Sequence, residues 1–215
     1  MTDVTIIGTG NMGAAIGTRV LAAARRLQLL DREAERAREL AARLGGDILA
    51  GPVGQEPEGD IVVLAVPFDA AKDLVASYGR ALSGKIVVDI SNPVDFSTFD
   101  SLAVPPDTSA AETIAGLAAE GATVVKAFNT TFAATLAVGE VAGQRLDVFV
   151  AGDSEEAKTA MAELVTAAEL RPIDAGPLRR ARELEGFQFL LMTLQANPAL
   201  EDFNWNTALK ILAPS

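Results

Sequence analysis

A chain of 215 residues that is 49% hydrophobic can bury the core of one large domain, or of a domain with a small appendage. Only 5% is aromatic, so the apolar content is mostly alanine and aliphatic, which suits helices packed on a sheet better than a β-sandwich. A formal net charge of −11 repels phosphate backbones and argues against nucleic acid, and the absence of cysteine and histidine excludes disulfides, Cys/His zinc sites, Ser-His-Asp triads and histidine acids.

In chain order, Val4–Ile7 reads as a strand and Met12–Ala24 as the helix after it. Leu27–Leu30 is a short second strand ending at Asp31. Glu33–Leu44 is a charged Ala/Leu-rich helix stopped by Gly45-Gly46, and Asp47–Ala50 is a weak third strand. The stretch GPVGQEPEGD is a loop. Ile61–Val66 is a continuous apolar run closed by Pro67, Asp69 stands as a cap for a helix to about Tyr78, and Lys85–Ile90 is another apolar run. Continuous Val/Ile runs separated by helices point to βαβ units in a parallel sheet covered on both faces. A polar connection over 94–108 leads to a helix around Ala110–Glu120 and a strand at Thr123–Ala127. Strand Leu146–Ala151, helix Ser154–Ala168 and strand Arg171–Asp174 follow, and everything from Pro177 reads as helical. No apolar run approaches the ~18 residues of a membrane span. The first strand begins with no signal peptide before it, so the expectation is a cytoplasmic protein that does not cross a membrane.

Gly8, Gly10 and Gly13 fit G-x-G-x-x-G, placed after a strand and opening a helix. In that setting the first glycine allows the tight turn, the second admits a pyrophosphate against the backbone, and the third lets helix pack on strand. Asp31 lies 18 residues after Gly13, near the position that reads a ribose, where a carboxylate favours NAD(H). Arg32 and Arg36 beside it could instead clamp the 2′-phosphate of NADP(H), or be ordinary surface charge. On the residues alone the choice stays open.

Ser91-Asn92-Pro93 follows an apolar strand, where open α/β sheets bind ligands, although Asn and Pro also form turns. Asn129-Thr130-Thr131 follows another and reads as a cleft lining or a helix cap. Arg179, Arg180 and Arg182 crowd a helix start, where the dipole disfavours them. Glu183 and Glu185, a partner subunit or an acidic cofactor tail would compensate. FQFLLMTL, residues 187–194, is apolar almost all round and belongs in a core or a dimer interface.

The motifs IIGTGNMG, NPVDF, VVKAFNTTFA, VFVAGD and RPIDAGPLRRARELE together resemble the coenzyme F-420-dependent NADP oxidoreductase family, which is related to the cytosolic domain of the membrane metalloreductases. The resemblance implies a Rossmann fold, usually dimeric, that passes hydride between NADP(H) and a deazaflavin or flavin. It implies that Thr9, Gly10, Asn11 and Met12 hold the pyrophosphate, that Arg32 and Arg36 meet the 2′-phosphate, that Val66 and Pro67 line the path from adenosine to nicotinamide, and that Ala127, Asn129 and Thr130 lie near the nicotinamide. Asp31 stands where the family usually carries serine or threonine.

The expected molecule is therefore an α/β protein with a Rossmann-type doubly wound parallel sheet. Residues 1–145 form the dinucleotide-binding core, and 146–215 supply the last strands and a small helical extension on the same body. The expected activity is hydride transfer from NADP(H), with NAD(H) an alternative, to coenzyme F-420 or a flavin. Ser91, Asn92, Asn129 and Thr130 would position the rings, with no acid or base, no metal and a homodimeric assembly. Direct hydride transfer is cofactor chemistry and suits a chain without imidazole or thiol. A small-carbonyl or imine reductase would need a proton donor such as Lys126, Tyr78 or a carboxylate. A dinucleotide-binding redox sensor without turnover is the reading from another class.

Overall fold

The computed structural model describes residues 4–212. Along the chain run β1 (Val4–Ile7), α1 (Asn11–Ala22), β2 (Leu27–Asp31), α2 (Ala34–Leu44), β3 (Ile48–Pro52), β4 (Ile61–Leu64), α3 (Phe68–Tyr78), β5 (Ile86–Asp89), α4 (Ala110–Leu117) and β6 (Thr123–Lys126). Then come α5 (Ala133–Val138), a small hairpin β7 (Glu140–Val141) with β8 (Gln144–Arg145), β9 (Asp147–Gly152), α6 (Glu155–Ala167), β10 (Arg171–Gly176) and α7 (Ala181–Ala196). Eight strands form one sheet in the order β10-β9-β6-β5-β4-β1-β2-β3. From β3 to β6 all pairs are parallel, with Val4 opposite both Leu27 and Ile61. The order reverses between β1 and β4, the switch point at which doubly wound sheets open a crevice.

Both sheet faces are buried, which is why the strands read as unbroken apolar runs. Successive strand residues alternate between two cores. Ile6, Leu29, Val63, Val88 and Val125 join α1, α2, α5 and α6 on one side. Ile7, Leu30, Val62, Leu64, Val87 and Val124 join α3 and α4 on the other.

The last two strands depart from the expected parallel sheet. β9 runs antiparallel to β6, and β10 is parallel to β9. β9 pairs with β6 only through Val125–Gly152 and Lys126–Ala151, so its first residues extend past the C-terminal end of β6. Between β6 and β9 the chain forms a six-residue helix and a hairpin in place of a full crossover helix, and it returns antiparallel.

Three further expectations are corrected. α3 begins after Pro67, and Asp69 pairs with Lys72 at 2.8 Å instead of capping. α5 and the β7–β8 hairpin stand in a stretch that carried no element assignment. Past Ala196 the described chain is not helical: residues 197–212 form a strap that returns across α5 to the start of β9. Trp205 N–H donates to Gln195 Oε1 at 2.7 Å, the Trp205 ring meets Phe132 edge-on at 5.5 Å, and Ile211 N–H donates to Asp147 Oδ2 at 2.8 Å.

Candidate functional site

The turn between β1 and α1 is built by its glycines. Gly8 has φ +104°, and a Cβ there would sit 2.3 Å from the Ala65 carbonyl oxygen and 2.8 Å from Val66 Cγ1. A Cβ on Gly13 would lie 2.0 Å from the Gly8 carbonyl oxygen. A Cβ on Gly10 would meet nothing within 4 Å. That glycine is therefore not required by the protein's own packing, and its bare backbone faces open space. α1 starts there with no side-chain cap and no acidic residue in its first turn. Its ladder begins with Ala14 N–H on the Gly10 carbonyl at 2.9 Å, which leaves the N–H groups of Asn11, Met12 and Gly13 without intrahelical acceptors. Uncapped N–H groups, the positive helix end and a missing Cβ together make a cradle for an anion.

Asp31 is turned into this cradle's wall. Its Oδ2 accepts from Thr9 N–H at 2.9 Å and Thr9 Oγ1 at 2.6 Å, and its Oδ1 accepts from Glu33 N–H at 3.1 Å. Burial alone would push its carboxyl up, but these bonds and nearby Arg36 outweigh it and hold it below the usual range. Beside it lies a hollow of about 270 Å³ lined by Thr9, Gly10, Asn11, Arg36, Glu39, Leu40 and Arg43. Arg36 is exposed and only 3.9 Å from Glu33, a loose pair, and Arg32 stands exposed at the end of β2. Arg43 was not singled out from the sequence. The available signal is its i+7 spacing from Arg36, which puts both on one helix face.

Val66 packs against the glycine turn, and Pro67 opens α3 beside it. On the next two strand ends the chain makes a second polar cluster. Asn92 Nδ2 donates to the Asn129 carbonyl and Asn129 Nδ2 to Asn92 Oδ1, both at 3.0 Å, which joins the loops after β5 and β6. Ala127 is fully buried between them in sequence, its N–H on the Asp89 carbonyl at 3.2 Å. Phe128 holds φ +60°, a conformation costly for an aromatic residue, and its carbonyl accepts from Thr131 N–H and Oγ1. That kink presents Asn129 and Thr130. Neither caps α5, whose N-cap is Phe132 with no side-chain bond. Ser91 Oγ, Asn129 Oδ1 and Thr130 Oγ1 are all buried without a hydrogen-bond partner. Native interiors rarely leave such atoms unpaired, so three on adjoining strand ends mark a place that an ordered water or a polar ligand would satisfy.

Beneath Ser91 lies a buried ionic cluster. Lys126 Nζ donates to Asp89 Oδ2 and Glu185 Oε1, each at 2.7 Å, and the side chains of all three are fully buried. Lys126 is thus unable to present a proton to the cleft. The Tyr78 hydroxyl accepts from Gly54 N–H at 2.9 Å, which ties that ring to the loop after β3. The arginines near α7 are balanced by ordinary ion pairs: Arg182 grips Glu112 through two bonds of 2.7 and 2.8 Å, and Arg180 meets Glu183 at 2.8 Å. Glu185, expected to join them, turns inward. On α7 the polar Glu185, Gln188 and Gln195 are buried while Phe187 and Leu190 are exposed, so the apolar stretch does not form the interior core of this chain. Among the described residues no helix is long and apolar enough to cross a membrane.

Known proteins resemble this chain in sequence and fold. The family model described as NADP oxidoreductase, coenzyme F420-dependent, matches residues 3–93. The F420-dependent NADP reductase of Methanocaldococcus jannaschii is 30% identical over 202 residues, which cover 87% of this chain and 89% of that protein. Metalloreductase STEAP3 of Rattus norvegicus is 30% identical over 197 residues, 92% of this chain but 38% of that protein. The crystal structure of a putative F420-dependent NADP-reductase from Arthrobacter sp. FB24 matches with a TM-score of 0.78 at 25% identity, covering 91% of this chain and 94% of that one. On these matches the chain belongs to the coenzyme F420-dependent NADP oxidoreductase family and is an NADP-dependent oxidoreductase.

Proposed function

We propose that this protein passes hydride between NADP(H) and a deazaflavin, coenzyme F-420, laid against the nicotinamide at the ends of β5 and β6. The residues fit the dinucleotide: Gly10 leaves the space a pyrophosphate needs, and the N–H groups of Asn11 and Met12 face it. Arg32, Arg36 and Arg43 supply cations for the 2′-phosphate. Asp31 accepts from Thr9 and from Glu33 N–H, so it braces the turn, and the arginines offset the charge it keeps. Bound NADPH supplies the hydride. The chain's own work is to orient two rings and exclude water, which needs neither imidazole nor thiol.

The observation that carries the acceptor side is the set of unpartnered buried atoms, Ser91 Oγ, Asn129 Oδ1 and Thr130 Oγ1. Together they offer hydroxyl donors and an amide acceptor, the pattern that a carboxamide and a flat heterocycle with carbonyl and N–H edges would satisfy. The names of the archaeal relatives favour a deazaflavin over a flavin. A carbonyl or imine reductase is less well supported, because Lys126 is fully buried with all three N–H groups engaged and Tyr78 is tied to the loop after β3. The exposed apolar face of α7, with Phe187 and Leu190, suits a homodimer contact, which sedimentation at twice the chain's mass would support and a monomer would remove.

The test is to offer NADPH together with F-420, FMN, FAD, a simple ketone or a cyclic imine. Oxidation of NADPH with F-420 and not with ketone or imine is expected. Turnover of ketone or imine alone would overturn the reading, and tight NADPH binding with no turnover on any acceptor would make the protein a sensor.

A further inference from the structure

We infer that Lys126, Asp89 and Glu185 act as one positioning centre for the acceptor half of the cleft, holding Ser91 in place from beneath; this rests on the acceptor reading above. Lys126 ends β6, Asp89 ends β5, and Glu185 arrives from the second turn of α7. An ammonium has three N–H groups, and here each is used: Asp89 Oδ2 at 2.7 Å, Glu185 Oε1 at 2.7 Å and the Ser91 carbonyl at 2.5 Å. The other Asp89 oxygen accepts from Ser91 N–H at 2.9 Å. Both backbone polar groups of Ser91 are therefore held by the same cluster, and only its buried hydroxyl is left without a partner.

Two carboxylates face one ammonium. The surplus negative charge meets the start of α4, where Glu185 accepts from Ala110 N–H at 3.0 Å and Ala111 N–H at 3.4 Å. Burial still pushes the Glu185 carboxyl up. Three buried ionisable groups are seldom an efficient source of stability, since apolar residues of the same volume often do as well or better. What this cluster achieves that an apolar trio could not is to fix a backbone carbonyl and a backbone N–H at once. Because Glu185 belongs to α7, docking of that helix and the placement of Ser91 are a single event. Lys126 acts through Ser91 and is not a catalytic residue.

The test compares wild type with Lys126→Met, and with Lys126→Met/Glu185→Gln, which lowers the unpaired buried charge if the single variant does not fold. NADP+ affinity should stay within about threefold. For F-420, kcat/KM should fall on the order of 100-fold, the scale of a small misplacement at a reacting centre. Amide exchange of Ser91 should accelerate at least about tenfold relative to Val87 and Val88, as expected when a local protecting contact is lost. Ser91→Ala combined with Lys126→Met should cost little more than either alone, since both act at one place. A lower Tm with unchanged F-420 kinetics, unchanged Ser91 exchange or fully additive losses would overturn the inference. If wild type itself does not reduce F-420, the proposed function fails, and Ser91 exchange still decides whether the cluster holds that residue.

Discussion

Gly8, Gly10 and Gly13 share one six-residue turn for different reasons. Gly8 and Gly13 are demanded by the fold, because any side chain would strike backbone at 2.3 or 2.0 Å. Gly10 is demanded only by what sits outside it. That distinction was invisible in the motif, which treats the three alike. Asp31 was legible as a significant carboxylate, but its ties to the turn were not: Oδ2 accepts from Thr9 N–H and Oγ1, and Oδ1 accepts from Glu33 N–H. Asp31→Ala should accordingly cost about 2–4 kcal/mol in stability, as expected for lost hydrogen bonds to a buried charge. It should weaken NADPH and NADH alike, leaving their ratio within about threefold because no 2′-phosphate contact is altered. Thermal melts and binding titrations check this; a tenfold or larger swing toward NADPH in a fully stable variant would restore Asp31 as the ribose reader. Lys126 shows the opposite limit. At the end of VVK it reads as a strand-end lysine, and nothing local announces a partner in Glu185, 59 positions away.

At the scale of elements, β1, β2, β4, β5 and β6 were legible because two-sided burial leaves a continuous apolar run. Strand direction was not, since a run such as DVFVAG looks the same pointing either way, and β9 follows a short helix and a hairpin where β2, β3, β5 and β6 each follow a crossover helix. The terminal strap was misread because its tie-down is long-range. Asp147 accepts from Arg171, Lys210 and Ile211 N–H, so the tail is held by a carboxylate far behind it in sequence. Burial pushes the Asp147 carboxyl up, yet the Arg171 and Lys210 bonds outweigh this and place it below its usual value of 3.8. A depressed folded pKa means the stabilisation is fully present above pH 3.8 and is lost as pH falls through the folded value. The strap over residues 205–212 should therefore lose exchange protection in acid before the β5 and β6 amides do, and Asp147→Asn should loosen it at neutral pH. Equal tail protection in that variant and wild type at pH 7 would contradict the assignment.

For the whole molecule, the acidic surface and the cationic hollow beside α1 are complementary statements. A chain of net charge −11 concentrates Arg32, Arg36 and Arg43 near a turn whose backbone is open to an anion. Val66 and Pro67 stand beside that turn, and the orphaned hydroxyls and amide lie in the loops after β5 and β6, with Glu185 of α7 buried beneath Ser91. Everything depends on the start of α1 gripping a diphosphate. The most direct measurement is calorimetric titration of NADPH into wild type and Gly10→Val. Because a Cβ at Gly10 meets no protein atom within 4 Å, the variant should fold with a Tm close to wild type. It should bind NADPH at least about 100-fold more weakly, some 2.7 kcal/mol. Equal binding by the two proteins, or no binding by well-folded wild type, would contradict the account.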